Sequence, residues 1–134
     1  MKSVDQQTIA SLHRLRTTWL ATRTSRLNTV RGLLREFGIV IPVGAQHVVP
    51  MVHALGDDAR VPPLLQSVLA ATATEIRALD AQLDAVDQQI AQLARAHPTA
   101  VLLQSVPGIG ALTATALVAA VGDIHRFPSG RHFA

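Results

Sequence analysis

The sequence predicts an all-α fold in which two long helices precede a helix-hairpin-helix unit. Nearly half of the 134 residues are apolar, but only 3% are aromatic. The core must therefore consist of Leu, Val, Ile and Ala, which suits helices packed on helices. Apolar residues between positions 63 and 97 recur at alternating steps of four and three, a helical period. Near the end of the chain, a Pro-Gly-Ile-Gly turn separates two apolar runs.

The first predicted segment, residues 1–38, is a long Arg-rich helix. From Val4 onward it has no Pro and a single internal Gly, and Gly38 is well placed as a helix C-cap. Charged side chains are rarely buried, yet three arginines share the side of the helical wheel that carries the apolar residues: Arg16, Arg23 and Arg26. Either their stems reach out to solvent, or this side faces acidic groups or phosphates.

Charge is distributed unevenly along the chain. Residues 1–35 hold seven basic residues against Asp5 alone, a net charge of +6. The remainder holds five basic and eight acidic residues, a net charge of −3, which gives the overall +3. An Arg-rich half joined to a mildly acidic half predicts that one half meets a polyanion, and the planar guanidinium suits phosphate. A solvated helix face is the alternative.

Residues 39–62 form a predicted Pro- and Gly-rich connector, with one short helix around Pro50 to Leu55. Residues 63–97 form the predicted heptad helix, because Pro63 suits a helix start and the apolar spacing is sustained over about four heptads. The core of this seam is Leu69, Ile76, Leu79, Leu83, Val86, Ile90 and Leu93. The pattern predicts a coiled coil or helical hairpin, whose partner is either the first helix folded back or a second copy. An ordinary amphipathic helix is the alternative.

Residues 99–134 contain the predicted helix-hairpin-helix. Thr99 is the expected cap of a short helix that Pro107 ends, and Ile109 is expected to plug between the two helices. The glycines of the turn leave backbone N–H groups bare at a helix N-terminus, where they form an anion site for a nucleic-acid phosphate. The nucleic-acid-binding residues predicted here are Gly108, Ile109, Gly110, Thr113, Arg126 and Arg131. Such binding would be independent of base sequence. A plain core turn is the alternative.

The chain offers little for catalysis. It contains no Cys, which excludes disulfides, thiolate metal sites and Cys nucleophiles. Asp123, His125 and His132 lack a fourth ligand at a suitable spacing, and Ser129 has no recognisable His–Asp relay. We therefore expect no catalytic residue, no metal and no cofactor. The start of the chain has no signal peptide pattern, and the longest apolar run is too short to cross a bilayer.

Two blocks of the sequence resemble the IS one-ten insertion-sequence transposases, the DEDD-type recombinases guided by a bridge RNA. One is LHRLRTTWLATRTSRLNTVRGLLREFGIVIPVG, residues 12–44, preceded by KSVDQQ. The other is LLQSVPGIGALTATALVAAVGDIHRFPSGRHFA, residues 102–134. The helix between them matches the coiled-coil segment of that family in place and character.

The resemblance implies an internal part of a transposase: the end of the RuvC-like domain, the coiled coil and the start of the C-terminal transposase domain. In that family the acidic quartet, with its divalent metal such as Mg²⁺, lies upstream of the point matching Met1. The catalytic serine lies beyond the point matching Ala134, so neither is carried onto a residue here. The chain alone is expected to be inactive as a recombinase.

The function predicted from the sequence is that of a transposition protein without catalytic residues of its own. It is expected to bind DNA, a guide RNA or both, to form a homo-oligomer through the heptad helix, and to lie in the bacterial cytoplasm at the nucleoid. The alternative is a non-catalytic helical oligomerisation module with no nucleic-acid role.

Overall fold

The computed structural model describes residues 3–121, and these form an all-α fold, as predicted. No strand occurs among them. The helices are α1 (Val4–Glu36), α2 (Val48–Ala54), α3 (Pro63–Ala96), α4 (Pro98–Gln104) and α5 (Ala111–Val121), with a single 3-10 turn at Ala45–His47. The two long helices, the short connector helix and the helical pair around the Pro-Gly-Ile-Gly turn are all confirmed.

The two ends of α1 have well-defined caps. At its start, the Ser3 hydroxyl accepts from the Gln6 backbone N–H (3.1 Å), and Gln6 Oε1 accepts from the Ser3 N–H (2.9 Å). This reciprocal pair is a capping box. At its end, Gly38 adopts φ +77° and donates to Arg35 O, while Ile39 donates to Leu34 O, both at 3.0 Å. These bonds form a Schellman motif, which explains why the helix ends where the sequence predicted.

The structure corrects the predicted cap of α4. Pro98 is the first residue of this helix, and His97 is its N-cap, without a side-chain capping bond. Proline suits the first helical position because its missing N–H would have no partner there. Thr99 therefore lies inside the first turn, and its predicted capping role is wrong. The helix also ends at Gln104, before the turn that contains Pro107.

The chain divides into two compact units, each with its own core. The central unit is Thr18–Leu83, and the split unit combines Met1–Thr17 with Asp84–Ala134. In the central unit, the second half of α1, the connector and the first half of α3 surround one core, which includes Leu34, Ile41, Val48, Leu69 and Ile76. In the split unit, α4 and α5 pack on the start of α1 around Ile9, Ala100, Ala114, Val118 and Ala119.

The heptad seam is buried within the single chain. Leu69, Ile76, Leu79, Leu83, Val86 and Ile90 are all buried, and Leu93 is half-buried. In the central unit the residues of α1 that share their core are Leu27, Val30 and Leu34, and in the split unit Ile9 of α1 shares a core with Leu93. Of the two partners that the pattern left open, the first helix folded back shares a core with Leu69, Ile76 and Leu93 of the seam.

Two polar side chains hold the connector in place. The Arg31 guanidinium donates from Nη1 to Ile41 O (3.0 Å) and from Nη2 to Pro42 O (3.0 Å) and Gly44 O (2.7 Å). Gln66 Nε2 donates to Asp58 O and Val61 O, both at 3.0 Å. These bonds satisfy carbonyl groups that a chain segment without regular structure leaves unpaired.

Candidate nucleic-acid interface

The three arginines on the apolar side of α1 each face a carboxylate on α3. In the central unit, Arg23 Nε donates to Asp80 Oδ1, and Arg26 Nε donates to Glu75 Oε1 at 2.6 Å. In the split unit, Arg16 Nε donates to Asp87 Oδ1 at 2.7 Å. The sequence left open whether this side of the helix meets acidic groups or phosphates, and within the chain it meets acidic groups.

Each of these arginines uses only part of its hydrogen-bonding capacity. A guanidinium has five N–H donors, four of them on the two Nη atoms. Among the described residues, the Nη atoms of Arg16, Arg23 and Arg26 form no hydrogen bond. The side chains of Arg23 and Arg16 are 23% and 25% exposed, and that of Arg26 is 43% exposed. The apolar stems are therefore partly covered, while four donors of each head remain for solvent or a ligand.

The Pro-Gly-Ile-Gly turn has a defined geometry in which its two glycines differ. Val106 O accepts from the Ile109 N–H (3.1 Å), with Pro107 and Gly108 between them. Gly108 has φ +87°, as required at the third position of a type II turn, where proline commonly precedes it. Gly110 has no positive φ, and a Cβ there would meet nothing within 4 Å. Only Gly108 needs to be glycine for the backbone.

The start of α5 presents bare backbone donors. The first bond of this helix runs from the Ala114 N–H to Gly110 O (2.9 Å). Within the described residues, nothing accepts from the N–H groups of Ala111, Leu112 or Thr113. Leu112 and Thr113 are exposed, as is Gly110 before them. Such a helix start favours an anion.

The remaining hairpin residues have mainly structural contacts. Ile109 is half-buried and packs on the core of the split unit, where Ala114 is fully buried. Residues 98–121 contain no Lys, Arg, Asp, Glu or His. An anion at this turn would therefore be held by backbone dipoles alone within this stretch. Arg126 and Arg131, the predicted sources of additional positive charge, lie outside the described residues.

A histidine of α1 joins α5 close to the turn. His13 Nε2 lies 2.9 Å from the hydroxyl of the buried Thr115, which also donates to Ala111 O (2.8 Å). A hydroxyl that donates to Ala111 O can only accept from His13, which carries a proton on Nε2 in one neutral tautomer and in the imidazolium. Burial, and then the nearby Arg16 charge, lower the pKa of His13 below its ordinary value of 6.5. His13 thus docks α5 in its neutral form.

Sequence reasoning missed several of these polar contacts. The Ser-x-x-Gln spacing that begins at Ser3 was a readable signal for the capping box. It did not reveal that Gln6 also donates from Nε2 to Val118 O (3.3 Å). Gln104, which donates to Ala94 O (2.7 Å) and Ala100 O (2.9 Å), and Arg31 gave no comparable signal, because their acceptors are backbone carbonyls.

Within residues 3–121, no group of three or more His, Cys, Asp or Glu side chains is arranged to hold a metal ion. The described carboxylates therefore do not fit the divalent metal that the family resemblance associates with an acidic domain. None of the helices in this range combines the length and hydropathy needed to cross a membrane.

Comparison with known proteins identifies relatives of a single kind. The sequence model of the "Transposase IS116/IS110/IS902 family" matches residues 100–134. A transposase for insertion sequence element IS1111A from Coxiella burnetii is 32% identical over 97% of this chain and 36% of its own length. A putative transposase from Sinorhizobium fredii and a probable family 20 transposase from Pseudomonas aeruginosa are each 33% identical over the whole chain, which spans 35% and 40% of them. No solved structure matches the chain.

Proposed function

Because this chain belongs to the IS116/IS110/IS902 transposases, matching about a third of the length of its relatives, we propose that it acts in DNA transposition by contacting nucleic acid. The contacts are with the phosphate backbone of DNA, of a guide RNA, or of both. They are made by Arg16, Arg23 and Arg26, which we call the Arg face of α1, and by the turn that precedes α5. The chain carries no strand-cleaving residues of its own in this proposal.

The observation that carries this proposal is the set of open donors. The Nη atoms of Arg16, Arg23 and Arg26 and the N–H groups at the start of α5 have no acceptor among the described residues. Guanidinium groups and helix N-termini are both common protein partners of phosphate. A contact to phosphate reads no base edge, so it would position a nucleic acid rather than select its sequence.

A salt titration tests the proposal. Binding of the chain to a labelled generic duplex and to a labelled RNA hairpin, followed by fluorescence anisotropy, should weaken steeply with salt, because phosphate contacts release counterions. The double variant Arg23→Ala and Arg26→Ala should bind more weakly and with a shallower slope. Arg60→Ala, which removes a single positive charge from the connector, is the control for each arginine and should change the slope least. Salt-insensitive or absent binding to both ligands would refute the proposal.

The turn is tested separately through Gly110. Serine at this position has room for its side chain and is a preferred N-cap, so Gly110→Ser should fold normally. Its hydroxyl oxygen would accept from the N–H groups that a phosphate would otherwise use. We expect weaker nucleic-acid binding without loss of stability. Unchanged binding of this variant would exclude the turn as a phosphate contact while leaving the Arg face in place.

A second candidate function is an interaction module that does not bind nucleic acid. The intrachain pairs of Arg16, Arg23 and Arg26 with α3 carboxylates favour it, because they already provide the acidic partner that the Arg-rich helix predicts. Both candidate functions include self-association through the heptad helix. Because the seam is buried within the chain, such association would have to use the exposed faces of α3.

Sedimentation velocity with and without a duplex distinguishes the two candidates. A shift of the protein boundary on addition of duplex is expected for the transposition protein. An unchanged boundary, with concentration-dependent association of the protein alone, would instead support the interaction module.

A further inference from the structure

We propose that Asp80 and Glu75 are positioning residues, which hold Arg23 and Arg26 as oriented forks for the phosphates of a bound nucleic acid. This inference rests on the proposed function and adds how the site is built. It assigns a role in binding to two acidic side chains, although simple electrostatics would make them obstacles to a polyanion.

The geometry of the two pairs supports this role. Both carboxylates accept from Nε, the donor nearest the stem of the side chain, and neither accepts from an Nη atom. Each carboxylate therefore fixes the rotation of the guanidinium without occupying its terminal donors. Because Arg23 and Arg26 are three residues apart on α1, they are neighbours on one helix face. The central unit thus presents two adjacent forks of fixed orientation.

If the carboxylates of α3 instead prevented the arginines from binding phosphate, we would expect a different hydrogen-bond pattern. A carboxylate that blocks an arginine typically binds it through two parallel bonds, one of them to an Nη atom. In the central unit each pair has a single hydrogen bond, and the Asp80 and Glu75 side chains remain 45% and 43% exposed. A phosphate could therefore bind the far end of each guanidinium without displacing the carboxylate.

An independent instance occurs in the split unit, where Asp87 accepts from Arg16 through Nε alone. The same helix provides a matched control. Asp84 is an exposed carboxylate of α3, and none of the described residues donates a hydrogen bond or forms an ion pair with it. Asp84 thus carries a negative charge four residues after Asp80 on α3 without pairing with an arginine.

The test compares loss of a carboxylate with loss of its charge. Asp80→Ala removes both the charge and the acceptor, Asp80→Asn keeps an Oδ1 acceptor without the charge, and Asp84→Ala removes only charge. Affinity for a generic duplex would be measured for each by anisotropy at one salt concentration. Glu75→Ala with Glu75→Gln, and Asp87→Ala with Asp87→Asn, repeat the comparison. Urea unfolding of every variant checks that the fold is retained.

A positioning role predicts an order of duplex affinities among the variants that the change in net charge alone does not predict. Asp80→Ala should bind the duplex roughly two- to tenfold more weakly than wild type, since an unheld arginine must be ordered on binding. Asp80→Asn should restore wild-type affinity or exceed it, and Asp84→Ala should bind as tightly as wild type or more tightly. Tighter binding by Asp80→Ala than by wild type would overturn the inference but leave the proposed function standing. Absence of duplex binding by the wild-type chain would refute both the inference and the proposed function.

Discussion

At the scale of single residues, the two glycines of the turn have different requirements. Gly108 has a positive φ, which L-residues adopt at a cost, whereas Gly110 has an ordinary backbone and open space around it. We expect Gly108→Ser to lower the free energy of unfolding by about 1 kcal/mol. Gly110→Ser should leave it unchanged or raise it by a few tenths of a kcal/mol. Urea unfolding of both variants measures the difference, and equal losses would contradict the assigned turn geometry.

The neutral state of His13 makes stability depend on pH. Its pKa in the folded chain lies below the ordinary value of 6.5, so the unfolded chain binds more protons in the region just below that pH. The contribution of neutral His13 is therefore complete above about pH 6.5 and is lost as the pH falls through the lowered folded pKa. In His13→Gln, which has no titrating ring, the fall in unfolding free energy between pH 7 and 5 should be smaller than in wild type. An equal fall in the unfolding free energy of wild type and His13→Gln over this pH range would refute the assigned role of His13.

Arg31 shows what sequence reasoning could not reach at this scale. Helical-wheel positions place Arg23 and Arg26 on the apolar side of α1 and Arg31 elsewhere, and all three have the same residue type. What separates their roles is the acceptor: a carboxylate of α3 for two of them, and carbonyl groups of the connector for the third. The conformation of the connector is not encoded in any local pattern, so this contact was unpredictable.

Its energetic consequence can be tested directly. Arg31→Ala leaves three connector carbonyls without their donor, and we expect the free energy of unfolding to fall by about 1.5–3 kcal/mol. Arg35→Ala, at an exposed position in the last turn of the same helix, should cost less than about 1 kcal/mol. Limited proteolysis within residues 39–47 should accelerate only in the first variant. Similar losses in both variants would show that Arg31 is an ordinary surface arginine.

At the scale of the elements, sequence patterns predicted helix ends and buried faces correctly where these depend on the residues of the helix itself. Gly38 ends α1 because glycine readily adopts a positive φ, and Pro63 begins α3 because its fixed φ suits the first helical turn. The heptad spacing likewise identified the buried face of α3. The partner of that face was not predictable, because a seam of Leu, Ile and Val is equally compatible with α1 and with a second chain. Thr99 was assigned wrongly as a cap because Pro98 starts the helix one residue earlier.

The buried seam gives a prediction for α3. Ile76 is 1% exposed in the central core, so Ile76→Ala should lower the free energy of unfolding by about 2–5 kcal/mol. Leu64→Ala removes an apolar side chain that is 80% exposed on the same helix and should change it by less than about 0.5 kcal/mol.

Because the seam is covered by the same chain, the loss in Ile76→Ala should be equal at low and high protein concentration. A loss that appears only at high concentration would instead assign the seam to a contact between two copies.

At the scale of the whole molecule, folding pairs three of the seven basic residues at the start of the chain with carboxylates of α3. The excess of arginine at the start of the chain and the acidic residues of α3 meet as pairs within each unit. The polyanion that the sequence predicted was inferred from net charge, and net charge alone cannot distinguish a partner molecule from another part of the same chain. Because the Nη donors of these arginines form no hydrogen bond among the described residues, nucleic-acid binding stays a prediction that experiment can test.

The way the two units divide the chain has a consequence for the order in which they form during synthesis. The central unit is one continuous stretch, so all its contacts become possible as soon as Leu83 has left the ribosome. The split unit joins Gln6 to Val118 and His13 to Thr115, across 112 and 102 residues. Such distant pairs close slowly. A ribosome that stalls after α3 would therefore leave Ile9 without the core residues of α4 and α5, Ala100, Ala114, Val118 and Ala119.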